Sequence, residues 1–160
     1  MIRKKILLLG DFSVGKTSLI HRYVDNSFSD TYHTTIGVKI SKKLLHIEDI
    51  TCELLIWDIE GATPAKRIPP SYFKGASGAI FVCDANRSET INGLQEHINT
   101  FITFNQDARY VIAYNKVDLL TVAQKESLYS NLSGDVFLTS AKENNNVDKL
   151  FTTLTKEILL

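Results

Sequence analysis

Apolar runs and helical patterns alternate along this chain. Ile6–Leu9 and Ala79–Cys83 are continuous apolar runs, as expected for strands that are covered on both faces. Other short runs rich in β-branched and aromatic residues predict four more strands, with a turn around Glu48 and Asp49: Val38–His46, Thr51–Trp57, Tyr110–Tyr114 and Val136–Leu138.

Helices are predicted in the segments between these runs. The first runs from Gly15 to about Asn26 and carries Leu19, Ile20, Tyr23 and Val24 on one face. Ser88 is the expected N-cap of a helix that ends near Phe104. A polar helix is predicted over Thr121–Asn131, and a last helix has one apolar stripe made of Val147, Leu150, Phe151, Leu154 and Ile158.

Strands that alternate with helices predict an α/β fold with a mostly parallel, doubly wound sheet. The length of 160 residues fits one domain, and we assign residues 1–160 to it. Ligands of such sheets bind beyond the carboxyl ends of the strands. Residues with functional chemistry are therefore expected directly after each strand.

Composition limits the choice of partners. The formal net charge is zero, which gives no global electrostatic reason to expect nucleic acid or an anionic membrane. Cys52 and Cys83 each lie in an apolar stretch and are expected to be reduced core residues. No signal peptide, membrane span or prenylation cysteine is visible, so we expect a soluble cytoplasmic protein. Peripheral membrane attachment is expected only if a lipidated tail follows this sequence.

Gly10–Thr17 matches the phosphate-binding pattern G-x-x-x-x-G-K-[ST] in full, between a predicted strand and a predicted helix. Glycines allow the backbone N–H groups to converge on phosphate oxygens at the positive end of a helix. Lys16 adds a positive charge for the outer phosphates, and the Thr17 hydroxyl is a suitable Mg²⁺ ligand. The alternative, a chance glycine-rich turn, does not account for this context.

The base is indicated by two segments that also follow strands. The carboxylate of Asp118, in Asn115–Asp118, suits the two N–H donors of guanine, whereas adenine would leave it unpaired. Ser140–Lys142 offers a backbone N–H for the guanine carbonyl. Each short motif is weak alone, but three in this order, each at a strand end, indicate a guanine-nucleotide site.

With these motifs, the chain resembles the Ras-superfamily small GTPases, and most the Rab branch, over essentially all 160 residues. The resemblance implies a three-layer P-loop domain with a mostly parallel six-stranded sheet. It also implies a molecular switch in signalling or vesicle trafficking that binds GTP or GDP with Mg²⁺. Thr35–Gly37 and Trp57–Gly61 resemble the two switch segments of this family.

The same resemblance implies individual roles. Thr35 would ligate magnesium and sense the terminal phosphate, Asp58 would hold magnesium through water, and the Gly61 N–H would meet the terminal phosphate. Phe28 would pack against guanine and Tyr32 would close over the phosphates. Each of three residues has a purely structural alternative. Thr35 could be an ordinary loop threonine, Asp58 a strand-end cap, and Phe28 a core residue.

The motifs and the resemblance together define the expected site. Lys16, Thr35 and Gly61 are the expected catalytic residues. The expected magnesium ligands are Thr17, Thr35 and Asp58. The expected nucleotide-binding residues are Phe12, Ser13, Val14, Gly15, Lys16, Thr17, Ser18, Phe28, Tyr32, Thr35, Gly61, Asn115, Lys116, Asp118, Ser140, Ala141 and Lys142.

Protein partners are expected at the switches. Ile40, Trp57 and Tyr72 occupy the positions at which the family presents an apolar triad to effectors, exchange factors and activating proteins. The alternative is that all three are core residues. Lys39 and Ile40 stand where aspartate and phenylalanine are common in the Rab branch, so a standard Rab effector is not expected to recognise this surface.

Two departures from the family bear on hydrolysis. Ala62 stands where a glutamine normally orients the attacking water, and alanine has no side-chain hydrogen-bonding group. Phe12 replaces a small residue beside the terminal phosphate, unless its ring packs outside the site. Glu60 is a candidate substitute for the glutamine, although the sequence does not give its direction.

Three functions therefore remain to be compared. One is a switch with slow GTP hydrolysis, which a partner could accelerate by donating a glutamine and an arginine. Another is a GTP-bound interaction module with negligible turnover, which shares every binding residue. A P-loop kinase or ATPase is disfavoured by Asn115–Asp118 and by the absence of a second phosphate-acceptor motif.

Overall fold

The computed structural model describes residues 1–29, 36–61, 67–131 and 135–160. The strands are β1 (Ile2–Leu9), β2 (Val38–Ile47), β3 (Ile50–Ile59), β4 (Gly78–Asp84), β5 (Arg109–Asn115) and β6 (Val136–Leu138). The helices are α1 (Lys16–Asp25), α2 (Pro70–Phe73), α3 (Ser88–Asn92), α4 (Leu94–Phe104), α5 (Val122–Asn131) and α6 (Val147–Leu159), with a 3₁₀ turn at Val117–Leu119.

These strands form a six-stranded sheet in the order β2-β3-β1-β4-β5-β6. β1 pairs in parallel with both β3 and β4, and β5 pairs in parallel with β4 and β6. β2 alone is antiparallel, because a short turn connects it to β3. The mostly parallel six-stranded sheet predicted from the sequence is confirmed, and the carboxyl ends of five strands meet at one edge.

Side chains of β1 alternate between two cores. Ile6 and Leu8 pack with the buried faces of α1 and α6, whereas Leu7 and Leu9 pack on the other face with α2 and α4. Burial on both faces explains why this strand is a continuous apolar run rather than an alternating one. Cys52 and Cys83 are free thiols buried in the sheet, as expected.

The predicted helix after β4 needs a correction. Ser88 is the first residue of α3 and not its cap; Arg87 occupies the cap position, and no side chain caps this end. Gly93 separates α3 from α4, so the single helix predicted as far as Phe104 is two helices. Across the ranges that the structure describes, no helix is both long enough and apolar enough to cross a bilayer.

Candidate functional site

A cavity of about 540 Å³ lies beyond the carboxyl edge of the sheet. This volume is in the range of small-ligand sites. It is lined by residues 12–15 of the loop between β1 and α1, by residues 16–18 at the start of α1, and by Asn115, Lys116, Asp118, Ala141 and Lys142. Because every one of these segments follows a parallel strand, the topology itself brings the three sequence motifs together.

The loop between β1 and α1 (residues 10–15, the glycine loop) depends on its two glycines. Gly10 has φ +153°, and a Cβ there would lie 2.2 Å from the carbonyl oxygen of Val82 on β4. Gly15 has φ +101°, and a Cβ there would lie 2.3 Å from Nδ2 of Asn115. Larger residues are therefore excluded by both conformation and space, which explains the spacing of the motif.

Lys16 is the first residue of α1, and its side chain packs against the glycine loop. It is 6% exposed, and its Nζ donates to the carbonyl oxygens of Gly10 at 3.0 Å and Asp11 at 2.8 Å. Burial lowers the pKa of Lys16 to about 8, although the carboxylates of Asp58 and Asp11 act in the opposite direction. A buried cation that lacks full solvation is well suited to bind an anion in this cavity.

Two oxygen-bearing side chains meet beside Lys16. The Thr17 hydroxyl donates to Oδ2 of Asp58 at 2.6 Å, and Asp58 is 2% exposed at the end of β3. A hydroxyl and a carboxylate are the hard oxygen donors that Mg²⁺ prefers. The donor chemistry of this pair therefore fits the ion that the sequence predicts.

Asp118 and Ser140, which follow β5 and β6, are joined by a hydrogen bond at the cavity. The Ser140 hydroxyl donates to Oδ1 of Asp118 at 2.7 Å and accepts from the Glu143 N–H at 3.0 Å. Ser140 is fully buried and is not among the residues that line the cavity, unlike its neighbours Ala141 and Lys142. Ser140 thus contacts Asp118, which itself lines the cavity.

Asn115 and Lys116 connect the end of β5 with the glycine loop. Nδ2 of Asn115 donates to the carbonyl oxygen of Val14 at 3.1 Å, and Nζ of Lys116 donates to that of Ser13 at 2.8 Å. Thr139, which sequence reasoning missed, fixes the Asn115 amide by donating to its Oδ1 at 3.1 Å. Both predicted motifs therefore form one hydrogen-bonded unit.

Two aromatic residues line the cavity at different places. Phe28 is partly buried against the core that contains α1 and α6, so it serves both the core and the cavity wall. Phe12 also lines the cavity, with 45% of its surface exposed. Phe12 therefore belongs to the cavity wall, and a contact of its ring with the terminal phosphate stays a prediction.

The switch segments are described only in part. Tyr32, Thr35 and Ala62 lie outside the described residues. The Gly37 N–H donates to Oε2 of Glu60 at 3.0 Å, and the Glu60 N–H donates back to the Gly37 carbonyl at 2.9 Å. The Glu60 side chain is therefore directed toward the amino end of β2, which the sequence alone does not show.

Gly61 lies directly against the glycine loop. A Cβ on Gly61 would be 2.6 Å from both the N and the Cα of Phe12. These are backbone atoms that cannot swing aside, so only glycine permits this approach. Gly61 is also among the residues that line the cavity.

Two basic side chains next to the site were missed by sequence reasoning. Arg22 on α1 donates to the carbonyl oxygens of Ala141 at 2.8 Å and Lys142 at 2.9 Å, which fixes that loop. His97 on α4 contacts Oδ1 of Asp11 at 2.8 Å. Neither residue belongs to a local motif, so no signal in the sequence identifies them.

Comparisons with known proteins agree with this architecture. The Ras family model matches residues 5–160. The chain is 33% identical over 160 residues to Ras-related protein Rab-3 of Caenorhabditis elegans, covering 96% of this chain and 73% of that protein. It is 36% identical over 163 residues to GTP-binding protein YPTM1 of Zea mays, covering 96% and 77%, respectively.

A human protein is similar to this chain to the same extent. Ras-related protein Rab-3A of Homo sapiens is 33% identical over 156 residues, covering 94% of this chain and 71% of that protein. The chain therefore belongs to the Ras family. It is Rab-like, and its general function is that of a GTP-binding switch.

Proposed function

We propose that the cavity binds GTP and GDP, with phosphates at the glycine loop and guanine at Asp118. The main support is that one cavity is lined both by residues of the phosphate motif and by residues of the two segments that indicate the base. In this proposal Lys16 holds the outer phosphates, Phe28 packs against the base, and Tyr32 closes over the phosphates. Ser140 orients the Asp118 carboxylate, and Ala141 and Lys142 supply the backbone beside the guanine carbonyl.

Mg²⁺ would be held by Thr17 and Asp58, with Thr35 added when the terminal phosphate is present. The ion, when bound, neutralises phosphate charge and fixes phosphate geometry. The hydrogen bond from the Thr17 hydroxyl to Oδ2 of Asp58, at 2.6 Å, holds these two oxygen-bearing side chains next to each other. Gly61 would donate its backbone N–H to the terminal phosphate and so couple the second switch to the nucleotide state.

Guanine selectivity is tested by Asp118→Asn. The amide places a donor where the carboxylate accepts, so the variant should lose affinity for GDP and gain affinity for xanthosine diphosphate. Asp107→Asn is a matched control, because Asp107 is exposed and precedes the amino end of β5, whereas the cavity lies beyond the carboxyl ends of the strands. Fluorescence competition against labelled GDP measures both ligands. Unchanged preference for GDP in Asp118→Asn would contradict the base-binding role.

We further propose that GTP hydrolysis is slow. Ala62 has no side-chain group that can orient water, and the hydrogen bond from the Gly37 N–H, at 3.0 Å, directs the Glu60 carboxylate toward the amino end of β2, which does not favour Glu60 as a replacement. The expected single-turnover rate is below the ~10⁻⁴ s⁻¹ scale of an unassisted Ras-type enzyme that keeps its glutamine. A wild-type rate at or above that scale would contradict this proposal.

A GTP-bound interaction module with negligible turnover is the second candidate. It is favoured by Phe12, a bulky residue of the glycine loop that lines the cavity and is 45% exposed. Ala62→Gln should raise the single-turnover rate if the missing glutamine alone limits hydrolysis. A gain only in the double variant with Phe12→Gly would identify the ring as the main block. No gain in either variant, with and without candidate activators, would favour the interaction module.

The proposed partner surface is the triad Ile40, Trp57 and Tyr72. Ile40 pairs with Trp57 across β2 and β3, and the rings of Trp57 and Tyr72 are 6.1 Å apart in an edge-on arrangement. Ile40 is 48% exposed, while Trp57 and Tyr72 are half-buried. Aromatic residues with a remaining exposed face are frequent anchors of protein interfaces, which supports effector, exchange-factor and activator binding here.

A further inference from the structure

Three consecutive carbonyl groups of the glycine loop each accept a side-chain donor. The Val14 carbonyl accepts from Asn115 and the Ser13 carbonyl accepts from Lys116, both of which belong to the base motif. The Phe12 carbonyl accepts from Nη1 of Arg87 at 3.1 Å. Arg87 is thus the one donor of the three that no sequence motif includes.

Hydrogen bonds hold both the backbone and the side chain of Arg87 in place. Its backbone N–H donates to the Asp84 carbonyl at 3.0 Å in the turn between β4 and α3. Its Nε donates to Oε1 of Glu89 at 3.1 Å, which leaves Nη1 directed at the loop. The same Nη1 is 3.4 Å from the Ser13 carbonyl oxygen, so it spans two successive carbonyls.

The contact acts on a strained part of the loop. Ser13 has φ +65°, a left-handed conformation that a residue with a Cβ adopts at an energetic cost. In a planar trans peptide the C=O and the next N–H point in opposite directions. Holding the Phe12 carbonyl toward Arg87 therefore fixes the Ser13 N–H on the opposite side, away from the guanidinium.

We propose that Arg87 is a positioning residue that fixes the Phe12–Ser13 and Ser13–Val14 peptides for phosphate binding and thereby slows nucleotide release. This inference rests on the proposed nucleotide site. The guanidinium acts through the loop backbone and does not itself need to reach the phosphates. Its planar fork suits two neighbouring carbonyls better than a single ammonium would.

The test is the release rate of fluorescently labelled GDP from the magnesium-loaded protein. Arg87→Ala should release GDP about fivefold faster, the change that loss of one ordinary hydrogen bond produces. Arg3→Ala is the matched control, because Arg3 pairs with Glu53 at 2.9 Å near the amino end of β1, away from the cavity. Its release rate should equal that of the wild type.

Ser13→Gly provides a readout that a general loss of stability would not move. Glycine adopts φ +65° without the cost that serine bears, so the loop should no longer need Arg87. In the Ser13→Gly background, Arg87→Ala should change the release rate less than twofold. A fivefold effect in both backgrounds would overturn the positioning role, since independent sites contribute additively.

The remaining outcomes separate this inference from the proposed function. If the wild type binds labelled GDP but Arg87→Ala releases it at the wild-type rate, Arg87 is not a positioning residue and the site itself stands. If the folded wild type does not bind labelled GDP, both proposals fall. Urea unfolding of each variant, followed by the fluorescence of Trp57, verifies that the proteins compared are folded.

Discussion

Gly15→Ala should damage both the fold and the site, and Gly75→Ala is its matched control. Both glycines have positive φ, +101° and +78°, so both alanines suffer backbone strain of about 1–2 kcal/mol. Near Gly75 a Cβ meets nothing within 4 Å, whereas at Gly15 it would lie 2.3 Å from Nδ2 of Asn115. The loss of unfolded-chain entropy is the same for both substitutions and cancels in the comparison.

The extra cost at Gly15 follows from the contacts of Asn115. This side chain is 1% exposed, donates to the Val14 carbonyl and accepts from the Thr139 hydroxyl. Displacing it leaves buried polar groups unsatisfied, at about 1–3 kcal/mol. We therefore expect Gly15→Ala to lower the free energy of unfolding by about 2 kcal/mol more than Gly75→Ala does.

Urea unfolding of the nucleotide-free protein measures this difference, with the fluorescence of Trp57, the single tryptophan, as the probe. A parallel measurement of GDP release should show at least tenfold acceleration in Gly15→Ala and wild-type release in Gly75→Ala. Equal costs in the two variants would refute the reasoning, because they would mean that Asn115 does not confine the loop.

Two further predictions concern the core and the surface. Burial raises the pKa of Cys83 to about 12, with a further contribution from Asp84, and burial also raises the pKa of Cys52. Neither thiol should react with an aromatic disulfide at pH 8 as long as the protein is folded, and rapid labelling of the folded protein would contradict this. The free energy of unfolding should fall above about pH 8.5, because only the thiols of the unfolded chain lose their protons there. Trp57→Ala should abolish capture of a partner by the protein loaded with a non-hydrolysable GTP analogue. Its GDP affinity, measured by calorimetry, should stay within a few-fold of the wild-type value. If the wild type captured partners equally in its GDP and GTP forms, the protein would not act as a switch toward them.

Local patterns were sufficient to predict most of the fold. The continuous run Ile6–Leu9 predicts a strand buried on both faces, and the two cores on either side of β1 confirm it. The stripe from Val147 to Ile158 likewise predicts α6. The two halves of the candidate site are also visible, because Gly10–Thr17 and Asn115–Asp118 are short, continuous segments.

Contacts between distant segments could not be predicted. Arg87 and Phe12 are 75 residues apart, and Arg22 and Ala141 are 119 apart, so no local pattern signals either contact. The position of Ser140 behind Asp118 also depends on how two strand ends meet. The division at Gly93 was missed because the apolar spacing of this segment continues across the glycine. The proposed roles of Thr35, Tyr32 and Ala62 stay predictions from the resemblance.

Guanine-nucleotide binding is the central claim, and a competition assay tests it most directly. Protein loaded with labelled GDP and Mg²⁺ is titrated with unlabelled GTP and, separately, with ATP. The Asp118 carboxylate, oriented by Ser140 at 2.7 Å, should pair with guanine and be left unpaired by adenine. GTP is therefore expected to displace the label at a concentration at least about a thousandfold lower than ATP. Displacement by ATP and GTP at comparable concentrations would contradict the account.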